Sequence, residues 1–68
     1  MRAAVIYRGE DGFWVAEVPS LPGCISQGKT KSEAIENIRE AIEGWIESAR
    51  TRGMAVPAED FDTQVVCV

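Results

Sequence analysis

The sequence predicts an α+β fold with the element order β-β-β-α-β, in which one long helix packs on a mostly antiparallel four-stranded sheet. Two observations predict it. Short segments rich in β-branched and aromatic residues occur three times before residue 28 and once at 61–68, and turn-forming residues separate the first three. Between the third and the last segment, apolar residues recur every three or four positions over 31–52, as in an amphipathic helix. The connection through this helix should be right-handed.

The first two strands are predicted at 2–8 and 13–18, joined by the turn GEDG at 9–12. The second strand has apolar side chains on both of its faces. Its positions alternate between Trp14, Ala16 and Val18 on one face and Phe13, Val15 and Glu17 on the other. Because one helix covers only one side of a sheet, we expect the other side to meet a neighbouring chain.

The segment VPSLPGCISQG, residues 18–28, is predicted to reverse the chain between the second strand and a third strand at 24–27. Pro19 cannot donate a hydrogen bond to a neighbouring strand, so the second strand ends there. Pro22 and Gly23 fit the two central positions of a type II turn, because proline fixes φ and glycine accepts a positive φ. The residues expected to shape this loop are Pro19, Pro22, Gly23 and Gly28.

Cys24 lies within this stiff loop, where a reactive thiol is one interpretation. A nucleophilic cysteine needs a base or a cation that holds it as the thiolate, usually a histidine, and the chain contains no histidine. The nearest cation in sequence is Lys29. We therefore expect Cys24 to be a small apolar residue that packs at a strand start, and Cys67 to fill the core or an edge in the last strand.

The helix is predicted over residues 31–52. Thr30 and Glu33 form the T-x-x-E pattern of a capping box, and Gly53 suits the left-handed conformation that follows a helix end. Gly44 interrupts the pattern and costs about 1 kcal/mol relative to alanine in a helix interior. It either permits the close approach of another element or is simply a tolerated exposed glycine.

Composition restricts the class of protein. The chain has 68 residues and a formal net charge of −4, which disfavours binding to phosphate backbones and favours a basic protein as partner. Without histidine, and with its two cysteines far apart, it should hold neither a metal nor another cofactor. The N-terminal apolar run is too short for a signal peptide or a membrane span, which indicates a cytoplasmic protein. A domain this small is marginally stable, so we expect a homo-oligomer, a dimer or higher.

Glutamates recur on the helix at steps of three and four positions and form one stripe: Glu33, Glu36, Glu40, Glu43 and Glu47. Two interpretations remain open, a solvated outer face and a docking surface for a basic partner. On the second interpretation, Glu40, Glu43 and Glu47 are the expected contact residues. The acids outside the helix follow no motif that would converge on a catalytic metal, so we expect no catalytic residues and no enzyme.

Residues 11–47, DGFWVAEVPSLPGCISQGKTKSEAIENIREAIEGWIE, resemble the N-terminal domain of HicB-type antitoxins. The shared features are an aromatic strand after an acidic-glycine turn, the P-x-L-P-G-C loop at 19–24, the G-x-T step at 28–30 and the E-A-x-x-N run at 33–37. The resemblance implies a partial ribonuclease-H-like fold. It also implies a partner, a small basic RNA-cleaving toxin of the HicA type, which the antitoxin binds and covers.

Two features of such families are not expected here. The first predicted strand has no acid, so ribonuclease-H catalytic residues are not carried over. We expect a single domain over 1–68 without a C-terminal DNA-binding domain, and therefore no direct DNA binding. Two other interpretations remain: a freestanding homo-oligomeric domain that serves as a scaffold or binds a small ligand without any toxin, and a degenerate nuclease.

Overall fold

The structure is a computed structural model that describes residues 2–58 and 66–67. Its elements are strands β1 (Val5–Arg8), β2 (Trp14–Glu17) and β3 (Ile25–Gly28), followed by helix α1 (Lys31–Thr51). The strands form an antiparallel sheet in the order β1-β2-β3, and α1 packs on one of its faces. The α+β class and the order β-β-β-α are thereby confirmed for this part of the chain.

The predicted fourth strand at 61–68 lies mostly outside the described residues. Val66 and Cys67, which are described, are exposed and belong to no strand. Of the two places predicted for Cys67, the core and an edge of the last strand, the core is wrong, because Cys67 is exposed. The edge position stays a prediction, since most of the last strand lies outside the described residues.

The hairpin of β1 and β2 has the predicted turn but a shorter first strand. The Gly9 N–H donates to the Phe13 carbonyl at 2.7 Å, and Gly12 takes a φ of 85°. Register pairs Val5 with Glu17, so residues before Val5 have no partner on β2. The chain leaves the sheet at Val18, whose N–H donates to the Cys24 carbonyl at 3.0 Å.

The loop that follows is held by its own backbone hydrogen bonds. The Leu21 N–H donates to the Val18 carbonyl at 3.1 Å, and the Cys24 N–H donates to the Leu21 carbonyl at 3.0 Å. Gly23 has a φ of 78°, as a type II turn requires of its third residue. Leu21 is completely buried, so the loop forms part of the core as well as reversing the chain.

Helix α1 is capped at both ends by the predicted residues. The Thr30 hydroxyl accepts from the Glu33 N–H at 3.1 Å, and the Glu33 carboxylate accepts from the Lys29 N–H at 3.1 Å. At the other end, Gly53 has a φ of 71° and its N–H donates to the Arg50 carbonyl. The helix ends at Thr51, one residue earlier than predicted.

The core lies between α1, the sheet and the loop, and it is built mostly from small residues. Its buried members are Ala16, Val18, Leu21, Cys24, Ala34 and Ile38. β3 and α1 approach closely at Gly28, where an added Cβ would lie 2.6 Å from the Ala34 backbone nitrogen. Among the described residues, no helix combines the length and the apolar character that crossing a bilayer requires.

Candidate partner-binding surface

The acidic stripe of α1 faces solvent along its whole length. All five of its glutamates are exposed. Glu36 lies 3.9 Å from Arg39, but both side chains are more than 70% exposed, so this pair contributes about 0–1 kcal/mol. Glu33 is engaged at the N-cap. Within the part of the chain that the structure describes, the side chains of Glu40, Glu43 and Glu47 make neither an ion pair nor a hydrogen bond.

The thiol of Cys24 is not placed to react. It is 4% exposed and belongs to the core cluster. Burial raises the pKa of the Cys24 thiol because desolvation penalises the thiolate. The sequence-based prediction of a packing residue at a strand start is confirmed.

The acids outside the helix do not form a metal site among the described residues, where no group of three or more potential ligands comes together. Asp11 has a local role, because its Oδ1 accepts from the Phe13 N–H at 3.2 Å and closes the first turn. Glu17 lies on β2, on the sheet face opposite α1. The acids at 59, 60 and 62 lie outside the described residues.

Trp14 is half-buried against the core and has two cations over its ring. The Arg8 guanidinium carbon lies 5.3 Å from the ring centroid, and the Lys31 ammonium nitrogen lies 5.9 Å from it. Cation–π contacts at partly exposed sites contribute about 0.5–1 kcal/mol each. The arrangement ties β1 and the start of α1 to the central strand.

A groove that the sequence does not predict lies between the C-terminal half of α1 and the segment at 54–57. It has a volume of about 550 Å³, and its lining is mostly apolar. Its lining residues are Pro22, Trp45, Ser48, Ala49, Arg52, Met54, Ala55 and Pro57. The Trp45 Nε1–H donates to the Pro22 carbonyl at 3.0 Å, which joins α1 to the loop at one end of the groove. Trp45 belongs to the apolar residues that recur along α1, and nothing local to residues 54–57 indicates a second wall.

The sheet face opposite α1 is also apolar and open within the described residues. Register places Val5, Tyr7, Val15, Glu17, Ile25 and Gln27 on this face. Tyr7 is 42% exposed and Ile25 is 52% exposed. The predicted alternation of β2 is confirmed, because Ala16 and Val18 are buried on the side of α1.

The fold is that of a small α+β module. Over residues 3–65 the chain matches the family described as the HicB-like antitoxin of the bacterial toxin-antitoxin system, and it belongs to that family. The resemblance read from residues 11–47 is therefore confirmed. The family is an antitoxin-like module and not a known enzyme family.

Relatives occur in archaea and in a phage, and the two archaeal proteins are similar in length to this chain. A UPF0150 protein of Thermoplasma acidophilum is 48% identical over 58 residues, which cover 85% of this chain and 84% of that protein. A UPF0150 protein of Archaeoglobus fulgidus is 51% identical over 45 residues, or 66% of this chain and 65% of that protein. An uncharacterised 14.9 kDa protein of Haemophilus phage HP1 is 40% identical over 63 residues, which are 87% of this chain and 47% of the phage protein. No solved structure matches the chain significantly.

Proposed function

We propose that the chain is an antitoxin-like binding module that sequesters a small basic mRNA-cleaving toxin of the HicA type and occludes its active surface. Membership of the antitoxin family supports a toxin as the kind of partner. The single structural observation that carries the proposal is the row of exposed glutamates Glu40, Glu43 and Glu47, whose side chains pair with no other residue that the structure describes. A basic toxin supplies the cations that such a row lacks.

The proposed contact residues are Glu40, Glu43 and Glu47. Their exposure limits what each ion pair contributes to affinity, about 0–1 kcal/mol. Their combined field, however, attracts a basic protein over distances of about a Debye length and raises the association rate. The mechanism is then electrostatic attraction followed by steric occlusion, and it requires no bond-breaking step by this chain.

The proposal is tested with the product of a short adjoining reading frame that encodes a basic protein with a histidine. This protein is produced with alanine in place of its histidine, so that host cells survive, and is co-expressed with the tagged chain. Co-purification at low salt is the expected result, and its failure would overturn the proposal. The double variant Glu43→Gln, Glu47→Gln should slow association, whereas the control Glu10→Gln, Glu17→Gln removes the same charge elsewhere and should not.

The alternative is a freestanding homo-oligomeric domain, a scaffold or a small-ligand binder that has no toxin. The open apolar face of the sheet is the observation that favours it, because self-association through a sheet face or edge would cover Tyr7 and Ile25. Light scattering after gel filtration measures the mass in solution. A dimer that Ile25→Lys converts to a monomer supports self-association through this face. If, in addition, no basic protein co-purifies with the chain, the alternative replaces the antitoxin proposal.

The remaining expectations belong to the same proposal. We propose that a fourth strand completes a partial ribonuclease-H-like sheet, that the chain acts in the cytoplasm where mRNA is cleaved, and that it does not bind operator DNA directly. Circular dichroism of the purified chain measures its strand content and so tests the proposed fourth strand. A gel-shift assay with the chain's own promoter tests the statement that it does not bind operator DNA.

A further inference from the structure

The groove between the C-terminal half of α1 and residues 54–57 has the size of a small-ligand site. Its volume is about 550 Å³, and small-molecule sites in proteins range from about 300 to 1,000 Å³. The wall at 54–57 is held in place by Val56, which packs against the core cluster. Such sites combine apolar walls with a few polar groups that orient the ligand. The polar groups of the groove therefore determine which class of ligand it takes.

Two described side chains of the groove have hydrogen-bonding groups that are not engaged, Ser48 and Arg52. They lie four positions apart on α1, so they are on the same side of the helix. Both are exposed, and neither side chain forms a hydrogen bond or an ion pair with another described residue. A guanidinium group only donates, and a hydroxyl can donate as well. Together they offer a ligand several donors and one permanent positive charge.

The walls beside these donors are apolar and adaptable. The Trp45 Nε1–H already donates to the Pro22 carbonyl at 3.0 Å, so the indole ring offers apolar surface without an unsatisfied polar atom. Met54 is 55% exposed, and methionine adapts its shape to a ligand and makes favourable contacts with aromatic rings. The body of a ligand that fits this groove is therefore apolar.

The charge of the groove is opposite to that of the chain as a whole. No carboxylate is among the described residues that line it. At about 100° per residue, the acidic stripe lies on the side of α1 roughly opposite to Trp45, Ala49 and Arg52. The glutamates of the stripe therefore neither pair with Arg52 nor face a ligand in the groove. Charge complementarity at this place requires an anion.

We infer that the groove binds a small apolar carboxylate, an aromatic or aliphatic acid whose body packs between Trp45 and Met54 and whose carboxylate accepts hydrogen bonds from Arg52 and Ser48. The planar guanidinium group matches a carboxylate in geometry as well as in charge. The inference goes beyond the antitoxin proposal and needs no toxin. It names a ligand class for the alternative in which the chain binds a small ligand.

The test is a titration of the full isotope-labelled chain, followed by two-dimensional NMR, with 3-phenylpropanoate as the probe. We expect saturable shifts of the Trp45 indole N–H and the Met54 amide, whereas the Trp14 indole N–H stays unchanged. Two compounds with the same skeleton replace the carboxylate by a neutral alcohol and by an ammonium group. The Kd should be about fivefold higher for the alcohol than for the carboxylate, as expected for the loss of one exposed ion pair, and highest for the amine.

Three variants assign the effect to the groove. Arg52→Gln should raise the Kd for the carboxylate about fivefold and leave the Kd for the alcohol unchanged. The control Arg50→Gln makes the same change near the end of α1 but outside the groove, so both Kd values should stay the same. Met54→Gln removes apolar surface and should raise the Kd for all three compounds. The altered side chains are exposed, and the amide spectrum verifies that each variant keeps its fold.

Three results would each overturn the inference: no saturable shift of the Trp45 indole N–H, equal Kd values for carboxylate and alcohol, or equal losses in Arg50→Gln and Arg52→Gln. A change in the mass of the free chain caused by Met54→Gln would assign the groove to a second copy, which also overturns it. The titration uses no basic protein, and co-purification of such a protein does not depend on the groove. Failure of this inference and failure of the antitoxin proposal are therefore distinguishable.

Discussion

Replacement of Gly28 by alanine should destabilise the fold strongly. An added Cβ would lie 2.6 Å from the Ala34 nitrogen, 2.8 Å from the Glu33 carbonyl carbon and 2.8 Å from the Glu33 Cβ. Two of these atoms belong to the backbone at the start of α1, so no side-chain rotation relieves the contact. Either β3 or the first turn of the helix must move, and overpacking of this kind costs about 1–3 kcal/mol.

We expect a cost near the upper end of that range, about 3 kcal/mol, because the clash involves backbone on both sides. A domain of this length has about 3–10 kcal/mol of stability in total, so a large part would be lost. Urea unfolding followed by tryptophan fluorescence measures the change. The control is Gly44→Ala, the same chemical change at an open helical site, which should stabilise the fold by about 1 kcal/mol. Equal midpoints for Gly28→Ala and the unaltered chain would refute the steric argument.

Three other substitutions test the capping, the loop contact and the buried thiol. Thr30→Ala removes the acceptor of a helix N–H and should lower the free energy of unfolding by about 1 kcal/mol, as urea titration would show; an unchanged value contradicts the role of the cap. Trp45→Phe removes the hydrogen bond to Pro22 and should cost about 0.5–1.5 kcal/mol, which thermal melts would detect as a lower midpoint. The thiol of Cys24 should react with a thiol reagent only after unfolding, while Cys67 reacts in the native chain. Because burial raises the pKa of the Cys24 thiol, this thiol ionises at a lower pH in the unfolded chain than in the folded one. The free energy of unfolding should therefore fall as pH rises through the ordinary thiol range and above it. The fall should be smaller in Cys24→Ala.

The parts of the structure that the sequence predicted well depend on short-range interactions. The turn at Pro22 and Gly23 follows from the φ values these residues prefer, and the cap at Thr30 needs only a residue three positions away. The two faces of β2 follow from strict alternation. In each case the partners are close in sequence, so the local pattern contains the information.

The features that the sequence did not predict depend on contacts between distant segments. Complete burial of Leu21 requires that the loop fold back under α1, and the hydrogen bond from Trp45 to Pro22 joins residues 23 positions apart. The groove likewise exists only because Val56 returns the chain to the core. The predicted start of the first strand at residue 2 is also wrong, since β1 begins at Val5. The length of β1 is set by where β2 leaves the sheet.

The acidic stripe destabilises the free helix but attracts the basic partner, and added salt should weaken both effects. Like charges at spacings of three and four repel by a few tenths of a kcal/mol per pair, so the stripe costs the free helix up to about 1 kcal/mol. Added sodium chloride screens this repulsion and should raise the thermal midpoint of the free chain slightly. The same screening should weaken binding of the basic partner, since cations on the stripe lose their attraction. Both effects should shrink in Glu43→Gln, Glu47→Gln. A free chain that salt destabilises would show that repulsion within the stripe does not destabilise the helix. A complex that salt does not weaken would show that the stripe is not the source of attraction.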